Sequence, residues 1–99
     1  MKIEQVKDGN ALNLKLEGRL DTITAPSLEA VLADTLDSAD AVTMDFSTLE
    51  YISSAGLRVL LGAQKQLNKK QGSMIIKNVN PTIMEVFEIT GFSDILTIE

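Results

Sequence analysis

The residues whose types and spacing could do chemistry lie in one stretch, Asp45-Phe46-Ser47-Thr48-Leu49-Glu50-Tyr51-Ile52-Ser53-Ser54-Ala55-Gly56-Leu57. A compact apolar strand runs into a connection, which feeds a helix through two serines, an alanine and a glycine. A helix N-terminus presents unpaired N–H groups and the positive end of the helix dipole. A hydroxyl in its first turn therefore stands where a dianionic phosphate is well accommodated. Ala55 and Gly56 add almost no side-chain bulk, so another protein can approach the hydroxyl of Ser54. The plainer reading of the pair is a cap, since serine is a favoured N-cap residue. Nucleophilic catalysis is the weaker chemistry: serine needs an activating base, and no histidine exists here and no lysine is near in sequence.

Composition narrows the field further. The chain has 99 residues, 44% hydrophobic and 23% charged, with no histidine, cysteine or tryptophan. Missing imidazoles and thiolates exclude His/Cys zinc, haem and iron–sulfur sites. The acids are scattered and nothing reads as a calcium loop, so no metal or other cofactor is expected. A net charge of -5 disfavours nucleic acid, whose binding needs a basic patch. No signal peptide is visible, and the apolar runs fall far short of the ~20 residues that span a bilayer. The expectation is one cytoplasmic domain over residues 1–99, without nucleic-acid or membrane partners, monomeric or weakly dimeric. It is not expected to be an enzyme.

The elements that must hold the serines follow from periodicity. Ile3 and Val6 before Asp8-Gly9-Asn10 predict a short strand and a hairpin turn. Leu12, Leu14 and Leu16 alternate with polar residues, a strand with one buried face, ending at Gly18-Arg19-Leu20-Asp21. Thr24-Ala25-Pro26 opens an amphipathic helix striped by Leu28, Val31, Leu32 and Leu36. Ala41 to Phe46 form a central strand, Ser47 to Ile52 a connection, and Ser53 the cap of the longest helix. That helix carries Leu57, Leu60, Leu61 and Leu67 and stops at Gln71-Gly72. Met74 to Ile76 make another strand, and Asn80-Pro81 open a third helix with Ile83, Val86, Phe87 and Thr90 inward and Gly91 at its end. Ile95 to Ile98 supply the last strand. The order ββαβαβαβ predicts an α/β fold with a mixed sheet and three main helices, two βαβ-type crossovers following an initial hairpin.

With these elements in place, the chain resembles the STAS domain family, in particular stand-alone bacterial anti-sigma factor antagonists. The family pattern of Asp-hydrophobic-Ser, an aromatic and an aliphatic residue, then (Asp or Ser)-Ser-(small)-Gly-Leu stands here as Asp45-Phe46-Ser47, Tyr51-Ile52 and Ser53-Ser54-Ala55-Gly56-Leu57. Gly18-Arg19-Leu20-Asp21 is similar to the second signature, and Asn80-Pro81, Phe87 and Thr90-Gly91-Phe92 to the third helix and its end. The resemblance runs over essentially the whole chain in the same element order.

The resemblance implies a partner switch. The unphosphorylated protein binds an anti-sigma factor that is a serine kinase, releasing a sigma factor. Phosphorylation dissociates the complex, and a PP2C-type phosphatase resets it. The regulatory serine falls on Ser54. Ser53 stands where many members have Asp, which removes a negative charge and makes it an alternative acceptor; Ser47 and Thr48 are weaker candidates. Asp21 is placed by the family near the serine, and can equally be a turn acid, with Thr22 and Thr24 as local caps. The partner-binding set is Asp21, Thr22, Ser53, Ser54, Ala55, Gly56, Leu57 and Arg58. Arg58 can meet a partner carboxylate or stay solvated, and Met84 and Ile89 fall off the inner stripe of their helix. The alternative is an accessory STAS subunit of a lipid-transport or stressosome-like assembly with no sigma-factor role.

Overall fold

The computed structural model describes residues 1–99. Strand β1 (Lys2–Asp8) turns back through Gly9 and Asn10 into β2 (Ala11–Leu20), with Asp8 paired to Ala11. Gly9 takes the left-handed turn position at φ 60°, which glycine adopts without steric cost. Then follow α1 (Ala25–Thr35), β3 (Ala41–Ile52), α2 (Ser54–Lys69), β4 (Ser73–Lys77), α3 (Pro81–Thr90) and β5 (Thr97–Ile98). Short 3₁₀ turns at Leu36–Ser38 and Phe92–Asp94 follow α1 and α3. The sheet order is β1-β2-β3-β4-β5, antiparallel only between β1 and β2.

The mixed α/β sheet with three helices is as the sequence predicts, with a correction to its count of crossovers. All three helices connect parallel neighbours, so there are three crossovers and not two. The third is hard to read because β5 is two residues long. The inward residues of β2 (Leu12, Leu14, Leu16, Leu20) meet Val42, Met44, Phe46, Leu49 and Ile52 of β3 and Met74 and Ile76 of β4 in one core cluster. Leu28 and Leu32 of α1, Leu57, Leu60 and Leu67 of α2, and Ile83 and Phe87 of α3 close over it. The opposite face, with Asn13 and Lys15 exposed and Thr43 and Asp45 partly so, stays open. That one-sided burial is why β2 alternates so cleanly.

The stretch from Ser47 to Ile52, expected as a connection, is the second half of β3. Its inward residues are spaced 46, 49, 52 because two bulges interrupt the β2–β3 ladder. Lys15 pairs with Asp45 but Glu17 with Thr48, and Gly18 pairs with Leu49 but Arg19 with Tyr51. Each bulge places an extra residue on β3 and breaks the period of two. Asp45 accepts a hydrogen bond from the Ser47 amide (2.8 Å), and Thr48 Oγ1 donates to the Leu16 carbonyl (3.0 Å), fixing the first bulge. Two smaller corrections concern the helices. Thr90 is exposed, its hydroxyl bonded back to the Val86 carbonyl, and Leu61 is only half-buried while Ala63 is buried. Asn80 caps α3 through the Ile83 amide (2.8 Å) and also donates to the Leu49 carbonyl (2.9 Å), tying that helix to β3.

Candidate functional site

The candidate site lies where β2 and β3 end together. Leu20 pairs with Ile52, and the Ser53 amide donates to the Leu20 carbonyl (2.9 Å). The next residues, Asp21 on one strand and Ser53 on the other, are thus neighbours at strand spacing. One residue later α2 begins at Ser54. The sequence forces this join to be tight. A Cβ built on Gly56 would fall 2.7 Å from Leu20 Cγ and 2.9 Å from Ile52 Cγ1. Leu20 and Ile52 are fully buried, so only glycine lets the first turn of α2 sit on the ends of the two strands.

Within that turn the side chains divide. Ser54 and Arg58 are exposed, Ala55 is half-buried, and Gly56 and Leu57 are buried. Ser53 has the extended backbone of an N-cap residue, φ -105° and ψ 176°, yet its hydroxyl makes no cap hydrogen bond. Its Oγ is buried and has no partner. The expectation of a side-chain cap is therefore corrected: Ser53 caps by position, while the Leu57 amide bonds to its carbonyl (3.0 Å). The first turn of α2 holds no acidic residue.

Asp21 organises the loop before α1. Its Oδ1 accepts from the amides of Ile23 (3.0 Å) and Thr24 (3.1 Å). Thr24 Oγ1 accepts from the Asp21 amide (2.9 Å) and donates to the Arg19 carbonyl (2.7 Å). The hydrogen bond from the Thr24 amide is the main reason the Asp21 carboxyl sits below the usual carboxylate range, helped by Ile23 and by the Arg19 guanidinium. Asp21 is thus an ionised turn acid, one residue beyond the Leu20 carbonyl that binds the Ser53 amide. Thr24 precedes α1 without capping it, and Thr22 is exposed in the loop.

Three residues beside the predicted set complete the surface. Arg19 lies over the Tyr51 ring, 4.4 Å from its centroid, with its Nε 3.8 Å from Asp21 Oδ2. Tyr51 is partly exposed, and Ile23 is 87% exposed, the most open large apolar side chain of the chain. An aromatic, an arginine and a bare isoleucine together have the composition of a binding hot spot. Arg19 and Tyr51 stand inside motifs of the sequence, whereas Ile23 shows there only as an apolar residue in a turn with no stripe to join. The Arg19–Tyr51 pair exists only through the bulged register. Of the weaker acceptors, Ser47 is exposed on β3, and Thr48 is bonded to Leu16. Met84 packs against the core and Ile89 is exposed.

No group of His, Cys, Asp or Glu residues is arranged to hold a metal ion. No helix is long and apolar enough to cross a membrane.

Comparison with known proteins concerns the chain as a whole. The chain is 40% identical over 99 residues to BtrV of Bordetella bronchiseptica, itself named as a candidate anti-sigma factor antagonist, covering 99% of this chain and 85% of that protein. It is 26% identical to the anti-sigma-B factor antagonist of Bacillus subtilis, covering 99% of this chain and 90% of the relative. Its fold matches that of the anti-sigma factor antagonist SpoIIAA in its unphosphorylated form with a TM-score of 0.80 at 20% identity, over 99% of this chain and 87% of the other. The STAS domain model matches residues 2–99. The chain belongs to the STAS domain family.

Proposed function

We propose that this chain is an anti-sigma factor antagonist, a binding module and not an enzyme, switched by phosphorylation of Ser54. In the unphosphorylated state it binds an anti-sigma factor serine kinase, and a sigma factor is released. Phosphate on Ser54 dissociates that complex, and a PP2C-type phosphatase restores the first state. The observation that carries the proposal is the exposed Ser54 on the first turn of α2, directly after the Ser53 amide that ties the end of β3 to Leu20 of β2. The names of the relatives support the same reading.

The physics of the step is local. Phosphorylation adds roughly -1.5 to -2 charges to the exposed first turn of α2. Taken at about 6 Å from such a phosphate, Asp21 would repel it at an intermediate dielectric by on the order of 1–3 kcal/mol. The N-terminal dipole of α2 offsets ~0.3–1 kcal/mol of this inside the chain. A docked partner, by contrast, would have to desolvate the dianion. The intrachain repulsion acts on the free and the bound chain alike, so the loss of affinity comes from desolvating the dianion against the partner, where each ~1.4 kcal/mol is tenfold.

Incubation with candidate serine-kinase anti-sigma factors and ATP, followed by mass spectrometry, tests the assignment. Phosphate on Ser54 in both the parent and Ser53→Ala proteins is the expected result. Phosphate on Ser53, Ser47 or Thr48 alone would overturn it.

A further inference from the structure

We propose that Arg58 is the chain's own partner for a phosphate on Ser54, an intramolecular clamp that forms only in the phosphorylated state. The inference rests on Ser54 being the acceptor and adds what happens to the phosphate afterwards. Ser54 and Arg58 are four residues apart on α2 and both exposed, so they lie one above the other on a single helix face. Side chains on a helix lean toward its N-terminus, which carries the Arg58 guanidinium over the turn that holds Ser54. The order is also the favourable one, with the anion four residues before the cation.

The surroundings leave Arg58 free for this role. Its helix neighbours at three and four positions away are Ser54, Ala55, Leu61 and Gly62, none of them acidic. Residues 54–69 contain no Asp or Glu at all. The chain's four ion pairs are Lys2–Glu4, Arg19–Asp21, Lys70–Asp40 and Lys77–Glu99, so Arg58 takes part in none. The charges on the adjoining strand ends are Arg19, already held by Asp21 and the Tyr51 ring, Asp21 itself, and the exposed Glu50. A phosphate on Ser54 would therefore be the first anion that Arg58 can reach within its own helix. Arginine suits the task, because its planar fork matches phosphate oxygens two at a time.

The consequence is a switch with two parts. Phosphorylation adds an anion to the surface and at the same time occupies a cation that was free for a partner's carboxylate. The clamp also offsets the repulsion from Asp21, which keeps the phosphorylated chain folded and the phosphate held against its own helix.

The test needs no kinase. Phosphoserine is placed at position 54 during translation in the full chain, and its second ionisation is followed by ³¹P NMR. A salt-bridged phosphate loses its last proton more readily, so the parent should titrate about 0.15–0.4 pH units lower than the Arg58→Ala protein. Arg58→Lys should recover part of that difference, and high salt should shrink it in the parent. The same midpoint in the parent and in Arg58→Ala would overturn the clamp. Because the phosphoserine is placed during translation, a failed kinase assay would count against the switch and leave this result standing on its own.

Discussion

Gly56 is where the frame and the site are joined, and replacing it with alanine is the sharpest probe of that join. The added methyl would lie 2.7 Å from Leu20 Cγ, 2.9 Å from Ile52 Cγ1 and 3.0 Å from Leu20 Cδ2. These are branch carbons of side chains with relative exposures of 0% and 2%, so neither can swing aside into solvent. Overpacking of this kind typically costs about 1–3 kcal/mol. Alanine regains at most ~0.5–1 kcal/mol of helix propensity over glycine, and less in a first turn. The net expectation is a loss of about 1–2 kcal/mol, which for a domain of this size lowers Tm by roughly 5–15 °C. Gly62 supplies the internal control. It lies in the same helix, is exposed, and has nothing within 4 Å of a built Cβ. Gly62→Ala should therefore stabilise by ~0.5–1 kcal/mol. Urea and thermal unfolding of the two variants against the parent give both signs in one experiment. A Gly56→Ala protein as stable as Gly62→Ala would refute the argument that glycine is needed for α2 to seat on the strand ends.

Two further outcomes follow from the hydrogen bonds. The Ser53 hydroxyl is buried without a partner, so Ser53→Ala should leave stability unchanged or slightly higher in urea titration. The ~1 kcal/mol loss typical of a working N-cap would show that the hydroxyl is bonded after all. In acid, Asp45 is held below the usual carboxylate range first by its bond from Asn78, then by the Ser47 amide, and Asp21 chiefly by the Thr24 amide. Carboxyls lowered in the folded state contribute stability that is present above pH 3.8, the unfolded value, and lost as pH falls toward their folded values. Asp21→Asn/Asp45→Asn should flatten the acid limb of a stability-against-pH curve below about pH 4, and an unchanged slope there would mean that these groups carry none of it.

What was legible in the sequence is what repeats with a period or punctuates a chain. Leu12, Leu14 and Leu16 announced a strand because one sheet face is open, and Asn80-Pro81 announced a helix because the cap signal is local and the asparagine makes that bond. The second half of β3 was not legible. Its two bulges space the buried residues by three, which matches neither a strand nor a helix, and the polar run Ser47-Thr48 looks like a connection. The serine pair was visible as a motif, as were Arg19 and Tyr51 singly, but the contact between those two was not. Arg19 and Tyr51 meet through a shifted cross-strand register, and Ser53 Oγ is buried without a partner. Such contacts have no local signature, so they emerge only with the fold.

The central claim is that one phosphate on Ser54 decides whether this chain binds its partner. The direct measurement is calorimetric titration of the anti-sigma factor serine kinase with the unphosphorylated chain and with the chain carrying phosphoserine at position 54. The account predicts a Kd at least tenfold weaker for the phosphorylated form, equivalent to about 1.4 kcal/mol or more, with unfolding temperature little changed. Equal affinities for the two forms, both folded, would contradict it.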